Sequence, residues 1–151
     1  MVLAIARRDS EIVLIESTRK KADFLESAIK ELGLANATVL PLRAEDVGRG
    51  KMRESFDVAV ARAVGLLPVL VEWLLPLVKL GGYALAMKGP KAKAELESAR
   101  RAMKALGGGN GEILESELPG AQGHVIVRIP KIIGTPARFP RDPSVAKGKP
   151  I

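Results

Sequence analysis

The sequence has no cysteine, a single histidine and few aromatic residues. Without cysteine there can be no disulfide bonds, thiolate–zinc sites or cysteine nucleophiles, and a reducing cytoplasm is the expected location. The one histidine, His124, falls in a predicted strand, so a histidine-based triad and a multi-histidine metal site are excluded as well. Because aromatic residues make up only 3% of the chain, its core must be built from Val, Leu, Ile and Ala. That composition suits a parallel sheet covered by helices.

The sequence also lacks a recognisable secretory signal and an uninterrupted membrane span. Residues 1–8 contain no apolar segment long enough for a secretory signal. The apolar stretch 64–87 is broken by two prolines and two charged residues, so it predicts a buried helix followed by a strand. With 151 residues, 47% of them apolar and 27% charged, the chain is expected to be a soluble globular protein with no membrane partner.

The positive charge is concentrated at the C-terminal end. Residues 131–151 hold five basic residues and one acidic residue, whereas the preceding 130 residues hold 19 basic and 16 acidic residues. We therefore predict a domain over 1–134 and a basic tail over 135–151. Such a tail favours an anionic partner such as nucleic acid, although charge alone fits a solvated tail that keeps the protein in solution nearly as well.

Apolar runs and helical periodicity alternate along the chain and predict an α/β fold. The apolar face of the first long helix, capped by Ser17 or Thr18, would comprise Phe24, Leu25, Ala28, Ile29 and Leu32. Gly81-Gly82 would form a turn into the following strand. The expected sheet is mainly parallel with an antiparallel hairpin at one edge. Strands are predicted at 12–16, 37–42, 57–61, 83–88, 112–117 and 124–132, and helices at the end of residues 1–6 and at 66–78 and 91–106.

Polar side chains follow three of the predicted parallel strands. Glu16 ends the first, Arg43-Ala44-Glu45 follows the second, and Arg62 follows the third. Ligands of open α/β sheets bind beyond the carboxyl ends of the strands, and an acid there can accept both hydroxyls of a cofactor ribose. Alternatively, Glu16 caps the next helix or pairs with Lys20 or Lys21.

The spacing of Glu16 from the N-terminus carries a second prediction. In dinucleotide-type folds the ribose acid follows the glycine fingerprint by about 20 residues. Counting back from Glu16 places that fingerprint at or before residue 1, and residues 1–6 look like the end of the helix that should follow it. We therefore expect the first strand and its glycine-rich loop to be missing.

Several strings, in this order along the chain, are typical of one family. They are IESTRKKADFLESAIKELGL, LRAED, FDVAVARAV, LPLVKLGG, AMKGP, LPG followed by His124, and TPARFPR. Together they resemble the small-subunit ribosomal RNA methyltransferase G family, also called glucose-inhibited division protein B. The resemblance implies a Rossmann-like fold and methylation of guanine N7 in 16S ribosomal RNA, with S-adenosylmethionine as cofactor.

The resemblance also implies roles for individual residues. Glu16, Ser17 and Thr18 would lie along the ribose and methionine side of the cofactor. Ala44 and Glu45 would border its adenine, and Arg62 would close the pocket near the methyl donor. The residues implied for RNA phosphate or target-base contacts are Arg43, Lys88 and Arg141. No catalytic side chain is expected, since guanine N7 offers a lone pair and has no proton to lose, and no metal is expected because the sequence offers no set of ligands for one. The implied partner is 16S ribosomal RNA or the small ribosomal subunit, bound by a monomer.

Family members carry a further helical region, a strand and a glycine-rich turn before the segment that LAIA resembles. The central strand of the sheet and the backbone N–H groups that hold the methionine end of the cofactor would then be missing, so we predict impaired activity for this chain. The alternative is a non-catalytic RNA-binding remnant of the same family. A fragment of a nicotinamide-dependent dehydrogenase would share the sheet and the ribose acid, but it explains neither the RAE and ARAV strings nor the basic tail.

Overall fold

A computed structural model describes residues 1–62, 65–115, 120 and 123–151. The chain divides into two compact units, Met1–Asp46 and Val47–Ile151. Helices and strands alternate through both units, which confirms the α/β organisation. Three predicted features lie partly outside the described residues: the end of the ARAV string at 63–64, the end of the strand predicted at 112–117, and most of the LPG string at 118–120.

The first unit is a β-α-β arrangement preceded by a short helix. Its elements are α1 (Val2–Ala6), β1 (Ile12–Ile15), α2 (Arg19–Glu31) and β2 (Ala37–Leu40), followed by the beginning of α3 (Ala44–Arg49). Strands β1 and β2 pair in parallel, from Ile12 opposite Ala37 to Ile15 opposite Leu40. The side-chain amide of Asn36 donates to the carbonyl oxygens of Ala4, Arg7 and Ser10, and so fixes α1 and its connection beside the start of β2.

The second unit contains a four-stranded sheet in the order β3-β4-β6-β5. Its elements are β3 (Phe56–Arg62), α4 (Leu67–Leu74), β4 (Val78–Lys88), α5 (Ala92–Ala105), β5 (Glu112–Glu115), β6 (Val125–Pro130) and α6 (Pro143–Gly148). Strands β3 and β4 are parallel, and β6 runs antiparallel to both of its neighbours, which confirms the predicted edge hairpin. Among the described residues, the six strands thus form a two-stranded and a four-stranded sheet, where the sequence predicts one sheet.

The two faces of the four-stranded sheet differ in burial. Ala84, Ala86 and Val127 point to the face that α4 and α5 contact, and each is 0% exposed. The opposite face carries apolar side chains that stay accessible, including Val58 at 44% and Met87 at 40%. Small residues on the covered face let the helices approach closely, which explains how a chain poor in aromatic residues packs a core.

Three details of the predicted elements are wrong. Helix α4 ends at Leu74 because Pro76 follows and Val78 already begins β4. Gly81-Gly82 lies within β4, where the pairing with β3 shifts from Phe56–Val78 to Val58–Tyr83, so these glycines lie in an irregular part of a strand and not in a turn before it. In α2 the predicted apolar face is wrong at two positions: Phe24 is 69% exposed and Leu32, the C-cap residue, is 49% exposed, whereas Leu25, Ala28 and Ile29 are half-buried beside the buried Ala22.

The segment 135–151 packs within the second unit. Thr135, Phe139 and Ala146 are buried. The guanidinium of Arg53 donates to the carbonyl oxygens of Thr135 and Phe139, at 2.6 and 2.7 Å. Lys147 on α6 lies 5.5 Å from the centre of the Trp73 ring on α4. This basic segment is therefore held along much of its length by specific contacts.

Candidate functional site

Glu16 follows β1 at the carboxyl edge of the two-stranded sheet. Its backbone N–H donates to the carbonyl oxygen of Leu40, which extends the pairing by one residue. Its side chain turns back, so that Oε1 accepts a 2.7 Å hydrogen bond from the backbone N–H of Thr18. This bond lowers the pKa of Glu16. A half-buried, ionised carboxylate therefore stands at the edge where α/β sheets bind ligands.

The other predicted cofactor residues of the first unit flank this carboxylate in sequence or follow the neighbouring strand. Ser17 and Thr18 are exposed immediately before α2. Arg43, Ala44 and Glu45 follow β2 and lead into α3; Arg43 is exposed, whereas Glu45 is 6% exposed. Because β1 and β2 are parallel neighbours, both segments leave the same edge of the sheet. The structure thus brings five of the predicted cofactor residues to one edge.

Arg62 is the last residue of β3 in the second unit. It lies opposite Met87 of β4, so it too stands at the carboxyl edge of a parallel strand pair. Its side chain is exposed. Arg62 therefore offers a positive charge to an anionic ligand at this edge.

Lys88, which ends β4 at the same edge, is already engaged inside the protein. Its Nζ donates to the carbonyl oxygen of Gly65 at 2.5 Å and to Oε2 of Glu95 at 2.7 Å. The same Glu95 oxygen accepts a 2.8 Å hydrogen bond from the backbone N–H of Leu67, the first residue of α4. The side chain of Lys88 is only 9% exposed. Sequence reasoning missed Glu95, because no local spacing rule links the end of a strand to the next helix.

Arg141 is engaged with a buried carboxylate. Its Nε and Nη2 donate to Oε1 and Oε2 of Glu72, at 2.8 and 2.7 Å, and its backbone N–H donates to Oε1 at 2.9 Å. The Glu72 hydrogen bonds raise the pKa of Arg141. Glu72 is 0% exposed. The proposed RNA contact of Arg141 stays a prediction, but its guanidinium serves a structural ion pair in this conformation.

A second buried charge cluster has no counterpart in the sequence predictions. The Lys131 side chain is 0% exposed, and its Nζ donates to Leu75 O at 2.6 Å, to Glu54 Oε1 at 2.9 Å and to the hydroxyl of Thr135. Burial lowers the pKa of Lys131, which Glu54 partly offsets. The cluster joins the residues before β3 to the chain after β6. It stabilises the second unit and lies at the amino end of β3, opposite the carboxyl end that carries Arg62.

Other kinds of site find no support in the part of the chain that the structure describes. No group of three or more His, Cys, Asp or Glu there could hold a metal ion. His124 is exposed just before β6 and has no such cluster around it. Every described helix is too short or too polar to cross a membrane.

Known proteins resemble this chain in sequence. Residues 1–120 match the family model GidB, rRNA small subunit methyltransferase G. The ribosomal RNA small subunit methyltransferase G of Moorella thermoacetica is 41% identical over 153 aligned residues, which cover 100% of this chain and 64% of that protein. The protein of the same name from Pelotomaculum thermopropionicum is 45% identical, over 99% of this chain and 63% of that protein. The chain thus spans less than two thirds of the length of these relatives.

Solved structures of methyltransferases share the fold. A 16S rRNA (adenine(1408)-N(1))-methyltransferase from Catenulisporales acidiphilia superposes with a TM-score of 0.65 at 14% identity, over 89% of this chain and 79% of that one. A predicted O-methyltransferase from Agrobacterium tumefaciens gives a TM-score of 0.64 at 20% identity, over 85% and 66%. At these identities the likeness shows the fold alone, and it confirms the predicted Rossmann-like methyltransferase fold.

Proposed function

Because this chain belongs to the rRNA small subunit methyltransferase G family, we propose that it methylates guanine N7 in 16S ribosomal RNA with S-adenosylmethionine as methyl donor. The observation that carries the proposal is the ionised Glu16 carboxylate at the carboxyl edge of β1 and β2. The proposed setting is the cytoplasm, where the chain would act as a monomer on the RNA or on the small ribosomal subunit.

Glu16 fits the ribose of such a cofactor. A carboxylate at a strand end can accept hydrogen bonds from both ribose hydroxyls. The bond from Thr18 N–H holds the carboxylate in place and keeps its pKa below the ordinary glutamate value, so the acceptor is ionised at neutral pH. Ser17 and Thr18 beside it, and Ala44 and Glu45 after β2, are the proposed further contacts with the cofactor.

The residues of this chain need only bind and orient the reactants. S-adenosylmethionine supplies a methyl group that its sulfonium already activates for displacement. Guanine N7 carries an in-plane lone pair and loses no proton, so no side chain has to act as a general base. Correct positioning of two reactants can contribute about 7–11 kcal/mol to a reaction. This accounts for a site that has a ribose acid and basic residues but no histidine or paired carboxylates.

The RNA would be held by exposed positive charge. Arg43, exposed after β2, is proposed to contact a phosphate or the target base. Arg62, exposed at the end of β3, is proposed to lie near the methyl donor of the cofactor. A guanine inside a helix must be unstacked, or already exposed, before its N7 can be methylated in a protein site. Binding through phosphates predicts an affinity that falls as the salt concentration rises.

The proposal is tested by measuring cofactor binding and methyl transfer with the same protein. Isothermal titration calorimetry with S-adenosylmethionine should show saturable binding that Glu16→Gln weakens at least tenfold. Glu26→Gln, an exposed change on α2, is the matched control and should leave the affinity unchanged. Incubation with 16S ribosomal RNA and labelled cofactor should yield 7-methylguanosine on digestion and mass spectrometry.

Two outcomes would contradict parts of this proposal. Salt-dependent RNA binding without cofactor binding or methyl transfer would favour the non-catalytic RNA-binding alternative. Equal cofactor affinity of the wild type and Glu16→Gln would leave Glu16 with only its local bond to Thr18. The impaired activity expected from the sequence stays a prediction, and micromolar cofactor affinity would contradict it.

A further inference from the structure

The side chains of Lys88 and Glu95 join three elements at the carboxyl edge of β3 and β4. Lys88 ends β4, Glu95 lies in the first turn of α5, and both contact the chain that leads into α4. Lys88 Nζ binds the carbonyl oxygen of Gly65, and Glu95 Oε2 binds the backbone N–H of Leu67. The ion pair between the two side chains, at 2.7 Å, closes the network.

Glu95 acts as a cap for α4 that comes from another helix. The first N–H groups of a helix have no partner within it, and Leu66, the N-cap residue of α4, makes no side-chain capping bond. The carboxylate of Glu95 meets this need at Leu67, and its negative charge also suits the positive end of the helix. Lys88 neutralises the carboxylate, which is necessary because the two side chains are only 9% and 19% exposed.

Both ends of the connection between β3 and α4 are therefore fixed to β4. The strand pairing holds Arg62 opposite Met87. Lys88, the residue after Met87, binds Gly65 directly and is linked to Leu67 through Glu95. We propose that Lys88 and Glu95 are positioning residues that fix Gly65 and the start of α4 beside the carboxyl end of β3, where Arg62 lies, for methyl transfer to RNA. In this role Lys88 does not bind RNA itself. The inference rests on the proposed function for its catalytic consequence, but not for the structural role of the pair.

The burial of Lys88 separates this role from a phosphate contact. A lysine that contacts a phosphate releases a counterion, so its removal lowers the salt dependence of RNA binding by about one unit of slope. A lysine that acts only through Gly65 and Glu95 leaves that slope unchanged. Moreover, loss of Glu95 should then reproduce the effect of losing Lys88, although an acidic side chain can make no favourable contact with a phosphate.

The test uses Lys88→Met, Glu95→Leu and the double variant, with Glu95→Gln as the conservative change that keeps an acceptor for Leu67. Lys93→Met and Glu97→Gln, exposed changes on α5, are the matched controls. Hydrogen–deuterium exchange should show at least tenfold faster exchange of the Leu67 amide in Glu95→Leu, with partial protection restored in Glu95→Gln. If Glu95→Leu does not fold, Lys88→Met and Glu95→Gln can be compared with the wild type instead, since each of them removes the ion pair.

Methyl transfer and RNA binding provide the second readout. We expect Lys88→Met, Glu95→Leu and the double variant each to lower kcat at least tenfold, with the double variant no worse than the more impaired single one. The KM for RNA and the salt slope of RNA binding should not change. A salt slope lowered by about one in Lys88→Met, with Glu95→Leu as active as the wild type, would overturn the proposal in favour of direct RNA contact.

Failure of the proposed function and failure of this inference give different results. A wild-type protein without methyl transfer refutes the function. The structural role of the pair would still be supported if the Leu67 amide exchanges slowly in the wild type and faster in the variants, and if the salt slope of RNA binding does not change. Unchanged exchange at Leu67 in every variant would refute the inference even if the wild type is an active methyltransferase.

Discussion

Arg141 and Glu72 form a bidentate ion pair that joins the C-terminal segment to helix α4. Two guanidinium nitrogens of Arg141 and its backbone N–H all donate to one carboxylate, at 2.7–2.9 Å. Glu72 lies in an apolar helix and is 0% exposed. A buried charge is tolerated only when it is paired and hydrogen-bonded. Arg141, in the segment after β6, is that partner for Glu72 of α4.

Replacement of Arg141 by Met should destabilise the protein strongly. Removal of one partner of a buried ion pair leaves an uncompensated charge and costs about 3–5 kcal/mol. Urea denaturation followed by circular dichroism measures the change in the free energy of unfolding. Arg138→Met, an exposed neighbour, is the control and should change it by less than about 0.5 kcal/mol. A small effect of Arg141→Met would show that the arginine is available for RNA instead.

The bond between Glu54 and Lys131 should make stability fall in acid. Burial alone would raise the pKa of Glu54, but hydrogen bonds from Lys131 and the Thr135 N–H outweigh it, so the folded pKa lies below the ordinary value. The contribution of Glu54 is therefore complete above the unfolded pKa of about 4.3 and is lost as the pH falls through the lower folded pKa.

Glu54→Gln isolates this effect. At pH 7 the variant should be about 1–3 kcal/mol less stable than the wild type, because it weakens charge-assisted bonds to Lys131 and the Thr135 N–H. The difference should shrink as the pH falls through the lowered pKa of Glu54, where the wild-type carboxyl becomes protonated too. Urea denaturation at several pH values measures it, with Glu115→Gln on the exposed end of β5 as control. A difference that does not vary with pH would contradict the linkage.

Gly107, which ends α5, should tolerate no side chain. Its φ is +83°, and a Cβ there would lie 2.0 Å from the carbonyl oxygen of Ile133. Gly107→Ala should therefore cost at least about 3 kcal/mol, since the backbone of both segments has to move. Gly33 has a φ of +60° but open space around it, so Gly33→Ala should cost only about 1 kcal/mol. Thermal unfolding of the two variants compares them directly, and equal losses would refute the steric explanation.

Arg62→Ala should reduce methyl transfer more than stability. The side chain is exposed at the end of β3 and so contributes little to folding. Loss of a positive charge that contacts a bound ligand typically costs about tenfold or more in turnover. Arg101→Ala on the exposed side of α5 is the control. If Arg62→Ala lowers the unfolding free energy as much as it lowers activity, Arg62 is structural.

The sequence alone determined the alternation of strands and helices and the positions of the polar strand ends. These properties follow from local pattern, because apolar runs, helix stops such as Gly107 and polar residues at strand ends each depend on only a few residues adjacent in the sequence. Glu16, Arg43 and Arg62 accordingly stand at strand ends as expected. The family could be recognised for the same reason, since its strings are local and their order is fixed.

Only the tertiary structure decided which charged residues face solvent and which are used inside the protein. Lys88, Lys131 and Arg141 look alike in the sequence as basic residues near family strings or the C-terminus. Their partners Glu95, Glu54 and Glu72 lie 7, 77 and 69 positions away, and no periodicity connects them. An ion pair depends on where two chain segments meet after packing, and so its existence is a property of the fold that local sequence does not contain.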